Sequence, residues 1–451
     1  MPREDELIER DRAFLIHSQH SAAEQEHSHV WTHGRGALLF DAEGGEFLDA
    51  LAGLWNVLVG HGRDELARAA AEQMRTLAFA SSFAGSTNRP AIALAERLAG
   101  LTYSSINHFF FTSGGAEANE SAFKTARYYW KIAGQPAKCK IIGRQAGFHG
   151  TTLAAMSATG IESYWTMFEP RVPGFLHIES PDPYRFVPRP RSADDRRTPG
   201  QMAADLLQEA IEREGPDTVA AFIGEPVQGA GGVIVPPDDY WPRIGQICRR
   251  YRVLLIADEV ITGFGRTGNW FALSRYGIEP DLMTFAKGVT SGYFPLGGLG
   301  MSDEIAAAIN GAGGAERWMH AFTNSAHPVG CAVALANLEI IEREGLVECA
   351  RELGRRLLTG LATLGSHANV GEVRGLGLLA AVELVADRRT KAPFPADFKA
   401  GPRVHAATQQ RGMFSRVRGD IYHLAPCFVT TPAQIDRMVE ILGESIAATL
   451  G

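Results

Sequence analysis

The sequence predicts an α/β protein: a mostly parallel β-sheet with helices on both faces, joined to a smaller α+β unit. Three observations predict it. Short apolar runs alternate with amphipathic stretches through the middle of the chain, the pattern of strand–helix–strand units. Several of these runs stop abruptly at Ser113, Glu225, Asp258 or just before Lys287, as buried strands do where they leave a sheet at its carboxyl edge. After Asn324 the texture changes to long helical periods separated by short strands. At 451 residues the chain exceeds what one core usually supports, so two domains are expected.

Taken in order, residues 1–30 are polar and partly helical, with histidines at 17, 20, 27 and 29. No acid or cysteine stands at ligand spacing from them, so they read as solvated surface and no metal is expected. Residues 36–50 read as a hairpin around Glu43-Gly44-Gly45. Residues 51–62, LAGLWNVLVGHG, are too apolar for an exposed loop, and helical periodicity returns at 64–78. The middle carries candidate strands at 107–112, 139–143, 218–224, 253–257, 281–285 and 296–301, and candidate helices at 116–131, 201–214, 239–251 and 302–310. The proline- and arginine-rich stretch 181–200 reads as a surface loop, because the alternation resumes after it. Beyond it lie helices at 328–343 and 346–363, strands within 369–384, a helix at 402–411, strands within 412–424 and a last helix at 432–449. The expected division is an N-terminal segment 1–70 belonging to the small domain, a large domain 71–327 and a C-terminal small domain 328–451.

Composition narrows the function. The chain is 45% hydrophobic and 21% charged, as soluble globular proteins are. Its net charge of −7 argues against a nucleic-acid surface. No apolar run is long enough for a membrane helix, and MPREDELIER lacks the apolar core of a signal peptide. Five scattered cysteines, never spaced CxxC, fit reduced thiols in a cytoplasmic protein.

The chemistry concentrates between Val253 and Gly288, which reads VLLIADEVITGFGRTG and then DLMTFAKG. Two apolar strands deliver Asp258 and Lys287 to the sheet edge where α/β proteins bind ligands. An acid and an amine so placed suit pyridoxal phosphate: the amine forms a Schiff base with the aldehyde, and the carboxylate pairs with the pyridine nitrogen. Partial burial would help the lysine lose its proton. Alone, the pair is matched by a blander account, a strand-end aspartate capping a turn and a surface lysine. NHFFFTSGGAEANE (107–120) is a strand, a glycine turn and a helix start, whose exposed amides form a phosphate cradle. It is not GxGxxG, and Thr112 or Ser113 acting as a plain helix cap stays open beside it. Phe148, in the FHG of 148–150, offers a ring to stack on a flat cofactor, although most phenylalanines are core. Glu225 brings a second carboxylate to the same edge, or caps a loop there.

SGGAEAN, FHG, EPVQGAGG, ADEVITGFGRTG, FAKG and FTNSAHP occur in this order at suitable intervals. Together they resemble the class III pyridoxal-phosphate aminotransferases, the ω-aminotransferase group, from about Gly36 to Leu442. The resemblance implies the fold-type I architecture, with a seven-stranded, mostly parallel sheet in the large domain. It implies Lys287 as the Schiff-base lysine and proton shuttle, and Asp258 as partner of the pyridinium nitrogen. Ser113, Gly114 and Gly115 would bind the phosphate, Phe148 (with His149 beside it) would stack on one ring face, and Val260 would pack on the other. Glu225 would lie near Asp258 and the substrate edge. Thr323 would reach the phosphate of a neighbouring subunit, implying a homodimer with shared active sites; pairing of dimers into tetramers stays open. Arg416 falls where these enzymes place a mobile arginine for the substrate carboxylate. Leu54, Trp55, Phe83 and Ala230 fall where the group lines its substrate pocket.

Three departures stand out. Phe148 occupies a position where many relatives carry tyrosine. Arg418 follows Arg416 by two residues and would face the same side of a strand. His423 and Cys427, in YHLAPCF, replace more usual residues. The implied activity is a ping-pong transamination from an ω-amine (diamine, β-alanine, taurine or aryl-alkylamine) to a keto acid. GLWNVLVGHG and GIESYWTMFEPRVPGFLHI resemble the pyruvate-dependent branch. Glutamate-1-semialdehyde aminomutase and dialkylglycine decarboxylase share nearly all these motifs, and a catalytically silent cofactor binder is the alternative outside enzymes.

Overall fold

Seven strands form the central sheet, in the spatial order Ile106–Thr112, Gly297–Ser302, Leu282–Phe285, Leu254–Asp258, Val219–Gly224, Lys140–Arg144, Phe175–Ile178. Gly297–Ser302 runs antiparallel to both of its neighbours, and every other pair is parallel. The structure is a computed structural model that describes residues 4–83, 85–192 and 194–451. Six of the seven strands lie where the apolar runs predict them. The seventh, Phe175–Ile178, is a four-residue edge strand buried only at its two ends, so its sequence carries little alternation to read. In the centre, all six residues of Val219–Gly224 are buried. A strand covered by helices on both faces has no solvent side, which is why it reads as an unbroken apolar run.

The flanking helices include Gly115–Ile132, Pro199–Glu214, Tyr240–Tyr251 and Asp303–Gly311. Pro199–Glu214 and Pro432–Leu450 begin in the same way: a threonine side chain (Thr198, Thr431) accepts from the third amide, a glutamine (Gln201, Gln434) closes the capping box, and proline sits in the first turn. Each such cap contributes about 1 kcal/mol. Arg89–Ala99 is a helix the periodicity did not announce, though its start was marked by Asn88, which caps Ala91 N, and by Pro90.

Two smaller sheets complete the fold. Trp31–Arg35, Leu38–Asp41 and Glu46–Asp49 form an antiparallel meander, and Met413–Phe414 adds to it in parallel. Val370–Gly375, Ala380–Leu384, Ile421–Leu424 and Arg416–Arg418 form an antiparallel sheet in that order. Leu51, Trp55, Val57, Leu58 and Val59 are buried, as the apolarity of 51–62 predicts. The helix Pro328–Arg343 packs on Asp64–Thr76 and Arg89–Ala99 and so ties the C-terminal part to the central body. Among the described residues, no helix is long and apolar enough to cross a membrane.

Candidate active site

The carboxyl ends of the parallel strands meet at one cavity of about 200 Å³, to which Gly115, Phe148, His149, Glu225, Asp258, Val260 and Lys287 all contribute. Asp258 pairs in register with Thr284 on the neighbouring strand, so the chain turns out of the sheet beside it and presents Lys287. The Asp258 carboxylate is 2% exposed and accepts three hydrogen bonds. His149 Nδ1 donates to Oδ2 at 2.7 Å, Asn119 Nδ2 donates to the same oxygen at 3.0 Å, and Val260 N donates to Oδ1 at 3.1 Å. Asn119 is itself fixed, since its Nδ2 also donates to the His149 carbonyl at 2.8 Å and its Oδ1 accepts from Thr284 Oγ1 at 2.8 Å. Donors to an ionised acceptor contribute about 1.5–3 kcal/mol each, so this shell stabilises a buried negative charge.

Glu225 is equally buried. Its two oxygens accept from the amides of Phe148 and Gly229, both at 2.9 Å, which locks the turn that carries Phe148 to the strand end. Burial pushes the Glu225 carboxyl up; His149 opposes this and Asp258 adds to it. Burial pushes the Lys287 amine down from its ordinary value, while Asp258 and Glu225 work against the shift and Arg416 reinforces it. Below 10.5 the unfolded lysine keeps a proton that the folded amine releases sooner. The unfolded state then binds more protons, so stability rises with pH between the lowered value and 10.5. In cofactor-free protein, Lys287→Met is expected to flatten this slope in urea unfolding at a series of alkaline pH values; an identical slope in parent and variant would contradict a buried, depressed amine.

The predicted phosphate cradle offers fewer free donors than its sequence implies. The cap of Gly115–Ile132 is Gly114, with extended backbone and no side-chain cap. Neither hydroxyl caps the helix, so that account of Thr112 and Ser113 is corrected: Thr112 Oγ1 donates to Gly114 O at 3.0 Å. The Ser113 amide is also unavailable to an anion, because it donates to Glu117 Oε2 at 2.8 Å. What remains is the first-turn amides, which have no carbonyl within the helix, at the positive end of an 18-residue helix, and the Ser113 hydroxyl. A Cβ on Gly114 would meet nothing within 4 Å, so an anion has room there, whereas one on Gly115 would lie 3.0 Å from Val260 Cγ1. Gly150, at φ 119°, lets the Phe148 turn close on the helix start; a Cβ there would lie 2.7 Å from Ala116 Cβ.

A second cavity, of about 390 Å³, is lined by Gln19, Tyr164, Phe168, Ala230, Arg416 and Arg418 among others. The two arginines share it, as strand alternation predicts. They differ in freedom. Arg418 Nη1 donates to the Gly231 carbonyl at 2.8 Å, while Arg416 lies over the Trp55 ring at 5.7 Å and donates from Nη2 to Gln19 Oε1 at 3.1 Å. The rings of Tyr164 and Phe148 are 5.3 Å apart, so the two cavities adjoin through an aromatic pair. Trp55 is buried against the edge of His423, at 5.8 Å. Burial, reinforced by Arg416, pushes the His423 ring down to about 3, so it is neutral, and neither ring nitrogen has a hydrogen-bond partner. Cys427 packs with Ala37, Ala52 and Val57 and hydrogen-bonds Thr430. Leu54, Phe83 and Thr323 are exposed on the single chain and line neither cavity.

Three residues the sequence reading did not single out hold the site together. Asn119 lies one helical turn after Gly115, on the same face, and that spacing was a usable signal. Tyr164 and Gln19 arrive by tertiary contact and carry none. His17, His20 and His27 are exposed as expected, but His29 is partly buried, and its ring has acidic neighbours: ligand atoms of Glu4, His29 and Asp41 lie within 4.8 Å of one another. Both carboxylates there already accept backbone amides, from Val30 and from Glu43 and Gly45.

The family model described as Aminotransferase class-III matches residues 20–446. The chain belongs to the class III aminotransferases. The aminotransferase is 40% identical over 453 residues to a putrescine–pyruvate aminotransferase of Pseudomonas aeruginosa, covering 99% of this chain and 98% of that one. Among solved structures, an (S)-enantioselective ω-transaminase from Thermomicrobium roseum matches with a TM-score of 0.95 and 48% identity over 100% of both chains. An ω-transaminase of Pseudomonas jessenii in complex with PMP matches with a TM-score of 0.93 and 39% identity over 98% of each. The aminotransferase is a pyridoxal-phosphate enzyme, and its residues fit that group. Open space beside Gly114 adjoins the first-turn amides, Phe148 and Val260 line the cavity next to it, a buried carboxylate stands at Asp258, and the amine of Lys287 completes the set.

Proposed function

We propose that this aminotransferase takes an amino group from an ω-amine, a diamine of the putrescine type foremost, and passes it to pyruvate in two half-reactions. The observation that supports this substrate pairing most is Arg416, a guanidinium lining the outer cavity whose only side-chain acceptor among the described residues is the neutral amide of Gln19. Such a group can pair with the carboxylate of a keto acid and withdraw from an amine that has none. Arg418, tied to the Gly231 carbonyl, supplies positive field but is less free to move.

When bound, pyridoxal phosphate supplies an aldehyde that condenses with amines and a ring that takes up the electron pair released at the donor carbon. Ser113 Oγ and the amides of Gly114 and Gly115 would hold the phosphate, and Phe148 and Val260 would border the ring. Asp258, fixed by His149 and Asn119, would favour a proton at the ring nitrogen. Lys287 Nζ, whose burial favours release of its own proton, would take the proton from the donor carbon. Glu225 braces the Phe148 turn.

Leu54, Trp55, Phe83 and Ala230 shape the amine pocket in this reading. Thr323 and Phe83, exposed here, reach the site of a second copy, so the enzyme works as a homodimer with twofold symmetry. Residues 1–70 and 328–451 form the small domain around 71–327, supported by the pairing of Met413–Phe414 with Glu46–Asp49. The five free cysteines suit a reducing, cytoplasmic setting. The test is a donor screen with pyruvate, reading alanine, run beside 2-oxoglutarate. Pyruvate is expected to be preferred by about tenfold or more, since one free guanidinium serves one carboxylate. Faster transfer to 2-oxoglutarate would reverse the acceptor assignment.

A further inference from the structure

We propose that Gln19 is a positioning residue for substrate choice: its carboxamide oxygen holds the Arg416 guanidinium aside while an amine occupies the site and yields it to the carboxylate of the acid substrate. This rests on the reading above that Arg416 is the carboxylate reader. Gln19 comes from the segment between the N-terminal helix and the first strand, and its side chain spans two functional groups. Oε1 accepts from Arg416 Nη2 at 3.1 Å, and Nε2 donates to Tyr164 OH at 2.8 Å. All three residues line the same outer cavity. Tyr164 in turn packs on Phe148, which borders the cofactor cavity, so one amide touches both the acid reader and the aromatic pair between the cavities.

The chemistry of an amide fits this task. A carboxamide oxygen satisfies one N–H of a guanidinium without cancelling its charge. The outer cavity therefore keeps the field of two arginines, with His423 neutral beside them, and still attracts an anion. A substrate carboxylate offers two charged acceptors in the fork geometry of arginine and outcompetes a single neutral oxygen. An amine without a carboxylate offers nothing, and Gln19 then retains the guanidinium over the Trp55 ring, away from the incoming ammonium. Glutamate at this position would upset the exchange, since a tethered carboxylate competes with the substrate's own. The backbone of Gln19 is left-handed, at φ 55°, a region a side chain rarely adopts, and the Tyr164 contact helps hold it there.

The experiment compares loaded parent enzyme with Gln19→Glu, Arg416→Ala and the double variant. Two quantities are read: KM in each half-reaction, with pyruvate and with putrescine, and the calorimetric Kd of propionate, a carboxylate that cannot react. Gln19→Glu is expected to raise the pyruvate KM and the propionate Kd by about tenfold, the gap between charged and neutral acceptors, and to change the pyruvate KM at least five times more than the putrescine KM, roughly the split that gap implies. In the Arg416→Ala background the same change is expected to move neither acid constant, because the group it acts through is gone. Equal propionate Kd in parent and Gln19→Glu overturns the proposal, and so does a full-sized effect that persists without Arg416. A parent enzyme that transfers no amino group to pyruvate while its propionate Kd still responds to Gln19→Glu would defeat the proposed acceptor and leave the role of Gln19 standing.

Discussion

Lys287→Ala is expected to lower amino transfer by about 10⁴-fold, the upper range for loss of a positioned proton-transfer group. Among the described residues lining the cofactor cavity, Lys287 supplies the one amine. The other basic side chain in that lining, His149, has its Nδ1 committed to Asp258 at 2.7 Å and cannot move to the reacting carbon without releasing the carboxylate. Glu225 accepts from two backbone amides, which holds it at the wall. No neighbour is therefore placed to replace the lost amine. The measurement is single-turnover loss of the cofactor's absorbance on mixing with amine. Adding methylamine or ethylamine should restore part of the rate, because the truncated side chain leaves space for a small amine next to the cavity. A variant that keeps a tenth of the parent rate without added amine would remove Lys287 from the chemistry.

How much of this was legible in the sequence follows from the physics of each part. The strands that deliver Glu225, Asp258 and Lys287 are buried on both faces, so burial alone wrote them as apolar runs with polar ends. Ile106–Thr112, which delivers Ser113, is instead an edge strand with exposed residues near its start, and it reads as apolar only through its run of three phenylalanines. Phe175–Ile178 is a half-buried edge and left no such trace. The shared orientation of Arg416 and Arg418 followed from the two-residue period of a strand. Which of them is free did not, because that depends on Gly231 and Gln19, brought from far along the chain. Gln19 meets Tyr164 across 145 positions and Arg416 across 397, and no local pattern encodes contacts of that range. Leu54, Phe83 and Thr323 are exposed on one chain and line neither cavity, so nothing local in the sequence sets them apart from ordinary surface.

Asp258→Asn is expected to lower the rate of the same half-reaction by about 10²–10³-fold, the scale on which a preorganised charge is lost from a buried site. The substitution keeps the shape and removes the charge. It also sets donors against donors, since His149 Nδ1, Asn119 Nδ2 and Val260 N all point at the Asp258 oxygens. An asparagine amide can satisfy them at only one oxygen, so its NH₂ must face a group that has been donating. With its carbonyl oxygen kept toward His149 and Asn119, the new NH₂ faces only the Val260 amide. The fold then survives at a cost of about 1–3 kcal/mol, measurable by urea unfolding. The catalytic loss should exceed that disturbance, because in the proposed mechanism the charge would act on the cofactor's ring nitrogen while the hydrogen bonds act only on the protein. Asn119→Ala separates the two effects: it removes one donor and leaves the charge, so its rate should fall far less than that of Asp258→Asn. Equal losses in the two variants would mean that Asp258 serves to hold the loop in place, and that its charge has no part in the rate.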